Sequence, residues 1–202
     1  MAAPIQKIQL FGHSFVKRLK RYIMNTDPSK FTLRLDGPPL IQYSGYPGAK
    51  IRDLHRHLDV VKDFAPDLVI LVIGTNDLCD QEPATVLCLL QALIDKMLQE
   101  LKVPKIIIMQ TLHRTHPSVP TRHRVNISVF NQNVDHFNRS MSGVFNTAPH
   151  PRVYFWKLKG FWSDDCKIRH LSPDGCHLSD AGQEKFLCNI RAAVVAALKH
   201  SI

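Results

Sequence analysis

The chain has 202 residues, of which 45% are hydrophobic, and its formal net charge at pH 7 is +9. This is enough apolar material for one compact domain covering residues 1–202, and no repeat, linker or low-complexity tract divides it. The longest apolar run, residues 68–73, is too short to span a bilayer, and the amino terminus lacks a signal-peptide core. The sequence therefore predicts a cytoplasmic protein with no transmembrane segment, although a domain excised from a longer protein would carry the same features.

The apolar pattern alternates between strands and helices. Strands are predicted at residues 5–11, 40–43, 68–73, 104–110 and 152–156, with a short edge strand at 31–35, and helices at 15–23, 49–64, 83–101, 125–141 and from 179 onward. Residues 157–173 are predicted to be a long loop. Alternating strands and helices predict an α/β fold with right-handed parallel connections, in which helices cover both faces of a mostly parallel, five-stranded sheet.

Ser14 lies where the first strand ends and the first helix begins. Such a turn places a serine hydroxyl beside the free N–H groups and the positive dipole end of the helix, which suits a nucleophile that generates an oxyanion. Read alone, Gly12-His13-Ser14 favours the simpler interpretation that Ser14 caps the helix. The interpretation therefore depends on the other end of the chain.

Asp174 and His177 are three residues apart, just before the last helix. A serine hydroxyl needs a base at neutral pH, and an imidazole base needs a partner that fixes its tautomer and stabilises its positive charge. Asp-x-x-His supplies both groups from one turn. The spacing is common, so its value lies in combination with Ser14.

Two further turns follow predicted strands. Gly74-Thr75-Asn76-Asp77 comes after residues 68–73, and Asn76 carries a side-chain N–H that suits a developing oxyanion. The turn after residues 40–43 contains Gly45 and Gly48, either of which allows close backbone approach and can present its own N–H. Because ligands of open parallel sheets bind outside the carboxyl ends of the strands, we expect these groups and Ser14 to converge.

Taken in order, these four stretches resemble the SGNH hydrolase superfamily, also called GDSL esterases and lipases. Gly-x-Asn-Asp, at residues 74–77, is the most specific of the four, and the resemblance runs from about residue 5 to the last helix. It implies a flavodoxin-like three-layer fold, Ser14 as the nucleophile, His177 as the general base and Asp174 as its orienting partner. It also implies an oxyanion hole formed by the N–H groups of Ser14 and Gly48 and the amide of Asn76.

The function that this resemblance implies is hydrolysis of carboxylic esters, with short acyl or acetyl esters favoured because no lid segment is visible. The substrate would be a small-molecule or lipid ester, and no metal or organic cofactor is needed. One departure is His13, which stands where the family usually has Asp. The glycine block is also loose, and Gly48 is preferred to Gly45 because it matches the last glycine of the block.

The alternative is a catalytically idle domain of the same fold that acts as a binding module, as esterase-like domains occur in proteins of mobile genetic elements. Its basic residues, such as those at 17–21, would contact nucleic acid or an anionic membrane, or simply form a solvated face. Aromatic residues are not interleaved with these charges, which disfavours nucleic acid.

Other chemistries are less well supported. The five cysteines are odd in number and include no Cys-x-x-Cys pair, which argues against disulfides and zinc fingers, and Cys176 ranks below Ser14 as a nucleophile. His113, His116 and His123 share a loop without a carboxylate or a cysteine, so a wall of the substrate crevice is favoured over a metal site. Phe161 and Trp162 either line an acyl pocket or fill the core.

Overall fold

The structure, a computed structural model, describes residues 5–37, 39–115, 125–147 and 152–199. Its centre is a five-stranded, fully parallel sheet with the strand order β2-β1-β3-β4-β5. The strands are β1 (Lys7–Gly12), β2 (Leu40–Gly45), β3 (Leu68–Val72), β4 (Lys105–Met109) and β5 (Val153–Trp156). The predicted α/β class and the five-stranded sheet are therefore confirmed.

Helices cover both faces of the sheet and complete the three layers. The helices are α1 (Ser14–Thr26), α2 (Ile51–His55), α3 (Leu58–Phe64), α4 (Pro83–Gln99), α5 (Ile127–Ser142), α6 (Asp164–His170) and α7 (Asp180–Leu198). Side chains of α1 and α7 join one apolar cluster, and side chains of α2 to α5 join the other. The sheet lies between these two cores.

Strand β3 shows why both faces are covered. All five of its residues are buried, and they alternate between the two clusters: Leu68 and Ile70 face α1 and α7, whereas Val69 and Leu71 face α2 to α5. A parallel strand that is apolar on both faces is stable only between two layers of helices.

The strand order reverses at β1, which has β2 on one side and β3 on the other. In open sheets, a crevice forms at this point outside the carboxyl ends of the strands. The strands are close together here, because a Cβ atom at Gly12 would collide with the carbonyl group of Val72. The turns that follow β1, β2 and β3 therefore meet at one edge of the sheet.

The predicted edge strand at residues 31–35 is wrong. Residues 28 to 32 form a 3₁₀ helix whose first turn is stabilised by the Asp27 carboxylate, which accepts the N–H of Ser29. Leu33 and Arg34 then adopt positive φ angles of 56° and 49°. The alternating apolar residues are still used, since Leu33 is buried and Phe31 packs on Tyr43.

Two helix predictions also need correction. The single helix predicted for residues 49–64 is divided into α2 and α3, and the ring of His57 at the break stacks on Tyr46 with 3.7 Å between centroids. Part of the loop predicted for residues 157–173 is helix α6. Its first turn is capped by Ser163, whose hydroxyl accepts the N–H of Cys166.

Across the residues that the structure describes, none of the helices combines the length and the apolar character needed to cross a membrane.

Candidate active site

The structure brings together the three residues of the predicted triad. The Oγ atom of Ser14 is 3.1 Å from Nε2 of His177, and Nδ1 of the same imidazole is 2.6 Å from Oδ2 of Asp174. Ser14 and His177 are 163 residues apart in the chain. Hydroxyl, imidazole and carboxylate thus form one continuous hydrogen-bonded line.

Ser14 reaches this position because it is the first residue of α1, directly after β1. His13 is the N-cap residue, and its Nδ1 accepts the N–H of Phe15 at 3.3 Å. The N–H of Ser14 has no acceptor within the helix, since the first turn of any helix lacks them. The hydroxyl and this free N–H both lie at the carboxyl edge of the sheet.

The turn that carries Asp174 and His177 is held at both ends and in the middle. Leu171 and Leu178 form an antiparallel bridge, and the N–H of Ser172 donates to the carbonyl of His177 at 2.7 Å. The carbonyl of Gly175 accepts the N–H of Thr115, from the loop after β4, at 2.8 Å. These contacts fix the imidazole relative to the sheet.

Asp174 is held in its ionised form by hydrogen bonds. Burial raises the pKa of this carboxyl group, but bonds from the backbone and ring of His177, the N–H of Cys176 and the hydroxyl of Ser172 outweigh burial and hold the pKa well below its ordinary value. A carboxylate with these donors keeps a fixed orientation toward Nδ1 of His177.

His177 is poised to be neutral at pH 7. Burial lowers the pKa of its imidazole and the nearby positive charges of Arg18 and Arg114 lower it further, while Asp174 raises it. The net shift is downward from 6.5. A neutral imidazole whose Nδ1–H faces Asp174 presents an unprotonated Nε2 to the hydroxyl of Ser14, as a general base requires.

The three predicted oxyanion donors lie around Ser14. Ser14, Gly48 and Asn76 all line the cavity that contains His177, whereas Gly45 does not line it. Gly48 has a φ of +77°, which favours glycine at this turn. Among the described residues, no acceptor binds the N–H of Ser14 or Gly48.

The amide of Asn76 is fixed by one of its two donors. Its Nδ2 atom donates to the carbonyl of Ala49 at 2.9 Å, and the side chain is buried. A primary amide has a second N–H on the same nitrogen, which remains for a ligand oxygen. The bond to Ala49 also joins the turn after β3 to the turn after β2.

Asp77 has a structural function that the sequence analysis did not identify. Its fully buried carboxylate accepts the N–H of Ile51, the first residue of α2, with distances of 3.1 Å to Oδ1 and 3.3 Å to Oδ2. Burial raises the pKa of Asp77 to about 6, against the opposing effect of this hydrogen bond. The signal was available in the motif, since carboxylates stabilise helix N-termini, but the partner helix could not be read from it.

His13 takes over the cap that a carboxylate would make at this position. The residue is 2% exposed, and its ring makes an edge contact with Phe15. Burial lowers the pKa of His13 to about 3, and the charges of His177 and Arg114 lower it as well. The imidazole is therefore neutral at pH 7, and its unprotonated nitrogen is free to accept the N–H of Phe15.

The cavity at Ser14 has a volume of about 470 Å³ and a strongly basic wall. Its lining residues are Ser14, Lys17, Arg18, Arg21, Pro47, Gly48, Asn76, Arg114, Cys176 and His177. From the sequence alone, the basic residues of α1 are expected to form a separate face, and no local signal places Arg114 in the site. Arg114 does lie in the loop after β4 that was predicted to form a crevice wall.

The structure bears on three other sequence-based hypotheses. Burial raises the pKa of the Cys176 thiol, and Nε2 of His177 faces Ser14, which disfavours Cys176 as the nucleophile. His113 pairs with Asp135 at 2.7 Å and does not line the cavity at Ser14. Phe161 is a core residue, and Trp162 donates its indole N–H to Leu158, so neither lines this cavity.

His116 and His123 lie outside the described residues. In the part of the chain that the structure describes, no three His, Cys, Asp or Glu side chains are grouped so that they could hold a metal ion.

Comparison with known families assigns the chain to one of them. The model of the GDSL-like lipase/acylhydrolase family matches residues 24–185. The chain belongs to that family. The matched range includes Asn76, Asp174 and His177. It begins after Ser14, and the residue before Ser14 is His13 in place of the usual Asp. A comparison with curated protein sequences gave no match.

Solved structures share the fold at low sequence identity. A GDSL-like lipase from Bacteroides thetaiotaomicron is 17% identical with a TM-score of 0.72, and the match covers 98% of this chain and 93% of that one. A carbohydrate esterase of family 3 from Talaromyces cellulolyticus is 16% identical with a TM-score of 0.65, covering 96% and 98%. An acetyl esterase mutant with a bound acetate ion is 14% identical with a TM-score of 0.64, covering 97% and 99%. The family and its relatives support a hydrolase.

Proposed function

We propose that the protein is a serine esterase that cleaves carboxylic esters through an acyl-enzyme intermediate. The observation that carries the proposal is the line of hydrogen-bonding contacts from Ser14 Oγ to His177 Nε2 at 3.1 Å and from His177 Nδ1 to Asp174 Oδ2 at 2.6 Å. The lowered pKa values of Asp174 and His177 favour a carboxylate and a neutral imidazole at neutral pH, as the reaction needs.

In the first half of the reaction, Ser14 Oγ attacks the ester carbonyl while His177 Nε2 removes its proton. Asp174 stabilises the imidazolium that forms and keeps Nδ1 protonated. The negative charge on the carbonyl oxygen is stabilised by the N–H groups of Ser14 and Gly48 and by the second N–H of Asn76. His177 then gives its proton to the leaving alcohol, and the acyl group stays on Ser14.

In the second half, a water molecule replaces the alcohol. His177 removes a proton from the water as it attacks the acyl carbonyl, and the same three donors stabilise the second tetrahedral oxygen. Collapse of this intermediate returns the proton to Ser14 Oγ and releases the carboxylic acid.

The favoured substrate is an ester with a short acyl group. The cavity has a volume of about 470 Å³ and must accommodate both halves of the ester. Phe161 and Trp162, the aromatic candidates for an acyl pocket, are not among its lining residues. The acetyl esterase with bound acetate, whose fold this chain shares, is consistent with an acetyl-sized group.

The deciding experiment compares the purified protein with Ser14→Ala on p-nitrophenyl esters of increasing acyl length. We expect turnover that is highest for the shortest esters and lost in Ser14→Ala. A fluorophosphonate should add one mass adduct to the parent, located on Ser14, and none to the variant. Equal turnover of the two proteins would contradict the proposal, and absence of turnover in both would favour the alternative of an idle binding module.

A further inference from the structure

The cavity at Ser14 is more basic than ester hydrolysis requires. Of the ten described residues that line it, four are cationic, namely Lys17, Arg18, Arg21 and Arg114, and none is Asp or Glu. Hydrolysis of an uncharged ester at Ser14 needs hydrogen-bond donors for one oxyanion, and the backbone and Asn76 provide them. The excess positive charge therefore calls for another explanation.

Three of these cations form a ladder that starts at the nucleophile. Residues 14, 17, 18 and 21 have the spacing of one helix face, so Lys17, Arg18 and Arg21 extend from Ser14 along α1 for about 10 Å. Within the described residues, none of the three forms an ion pair, although ion pairs occur elsewhere on the surface. Their charges are therefore not neutralised by carboxylates of the described chain.

Arg114 adds a buried charge to the same cavity. It is 6% exposed, its guanidinium lies over the ring of Phe130 at 4.5 Å, and Nη2 donates to the carbonyl of Thr75 at 3.4 Å. Among the residues that the structure describes, its Nε has no hydrogen-bond partner and no carboxylate pairs with it. A buried cation without a counter-charge is costly unless something binds there.

Two observations favour the alcohol portion of the ester as the part that faces the ladder. Arg18 is close enough to lower the pKa of His177, and Arg18 and Arg21 also line an adjoining cavity of about 230 Å³ with Leu178 and Asp180, which follow His177 in the chain. Since His177 protonates the departing oxygen, the alcohol portion of the ester must lie next to this imidazole. The groups beyond that oxygen then face Arg18 and Arg21.

We propose that the substrate is an ester of an alcohol that carries a carboxylate or phosphate, which is bound by Lys17, Arg18 and Arg21 of α1. This inference rests on the proposed esterase function and specifies its substrate class. Arginine suits this task because its planar fork of N–H groups matches the oxygen atoms of both anions. Arg114 adds positive potential to the same cavity and is left unchanged in the test because it is buried.

The test compares two acetate esters of the same shape at pH 8. 4-Acetoxybenzoate carries its negative charge on the alcohol portion, and 4-acetoxybenzamide is its neutral counterpart. We expect the parent to favour the benzoate about tenfold in kcat/KM, after correction for the hydroxide-catalysed rates of the two esters. Added NaCl should reduce this ratio, because salt screens partly exposed charges.

Variants assign the preference to the ladder. Arg18→Gln and Arg21→Gln should each reduce the ratio about threefold, and the double variant about tenfold. Lys20→Gln is the matched control. It also removes one positive charge from α1, but Lys20 does not line the cavity. An equal reduction in Lys20→Gln would mean that only the net charge matters and would overturn the proposal.

Two further outcomes separate the hypotheses. The acyl side is probed with phenyl hydrogen glutarate and phenyl glutaramate, and a preference for the charged ester in this pair alone would overturn the placement on the alcohol. If the parent hydrolyses neither the benzoate nor the benzamide faster than Ser14→Ala does, the esterase function itself fails. If it hydrolyses the benzamide and benzoate equally well, only the substrate class proposed here fails.

Discussion

The buried carboxylate of Asp77 accepts the backbone N–H of Ile51 at 3.1 Å, and this bond joins the turn after β3 to the first residue of α2. Asn76 reinforces the junction through its bond to Ala49. The two turns carry the predicted donors Asn76 and Gly48. Their relative position is therefore set by side chains of the Gly-x-Asn-Asp stretch itself.

The burial of Asp77 predicts a pH dependence of stability. The pKa of this carboxyl group is raised to about 6 in the folded protein, from 3.8. Between these pH values the folded state keeps a proton that the unfolded state has lost, so the free energy of unfolding falls as pH rises and levels off above about 6. A shift of this size corresponds to about 3 kcal/mol.

We expect Asp77→Asn, which keeps one acceptor oxygen, to lose this pH-dependent part of the free energy of unfolding. The free energy of unfolding should be measured with urea at pH 4.5 and 7.5. The value for the variant, relative to that of the parent, should be higher at pH 7.5 than at pH 4.5. Asp80→Asn is the control, because the Asp80 side chain is half exposed. A difference that does not change with pH would show that Asp77 is ionised without cost.

Much of this fold could be predicted from the sequence. The five strands and the helices α1, α4, α5 and α7 have apolar patterns long enough to identify, and parallel strands place Ser14 and Asn76 at one edge. Helix α6 was missed because seven residues carry little periodicity, although Ser163 followed by Asp164 and Asp165 is a helix-start signal. The 3₁₀ turn at residues 28 to 32 was misread because its alternating apolar residues also fit a strand.

The charges of the site were harder to predict. Neither the burial of Arg114 nor its place beside Ser14 follows from local sequence, because the loop after β4 is positioned by contacts with Asn131 and Gly175. The spacing of Lys17, Arg18 and Arg21 relative to Ser14 was visible. It became informative only when the structure placed a cavity along that face.

A second prediction concerns Arg18 and the acidic limb of the rate profile. The positive charge of Arg18 lowers the pKa of His177, so its removal should raise that pKa and shift the acidic limb of kcat/KM to higher pH. The measurement is a pH profile of Arg18→Gln with a neutral acetate ester. Lys20→Gln should leave the limb in place, and an unshifted limb in Arg18→Gln would mean that solvent screens this charge completely.

A third prediction concerns Asn76 as an oxyanion donor. Asn76→Ala should reduce kcat about 10²- to 10³-fold with little change in KM, because the lost hydrogen bond is strongest in the transition state. Asn138→Ala is a useful comparison, since Asn138 is also buried and its amide bonds both the N–H and the carbonyl of Thr111. We expect that variant to lose thermal stability and to keep its kcat. Equal losses of kcat would assign Asn76 a purely structural function.

The last prediction addresses His13, which replaces the usual Asp of the family. His13→Asp restores an anion at the N-terminus of α1, where the helix dipole favours it, and places that charge near His177. A nearby negative charge stabilises the imidazolium, so the acidic limb of kcat/KM should shift to higher pH in this variant. His13→Asn is the matched control, because it has the same size as Asp, keeps an acceptor for the N–H of Phe15 and is neutral. If both variants retain the parent profile, the introduced carboxyl group is protonated in its buried position and contributes no charge. Equal shifts of the acidic limb in both variants would trace the effect to lost packing against Phe15.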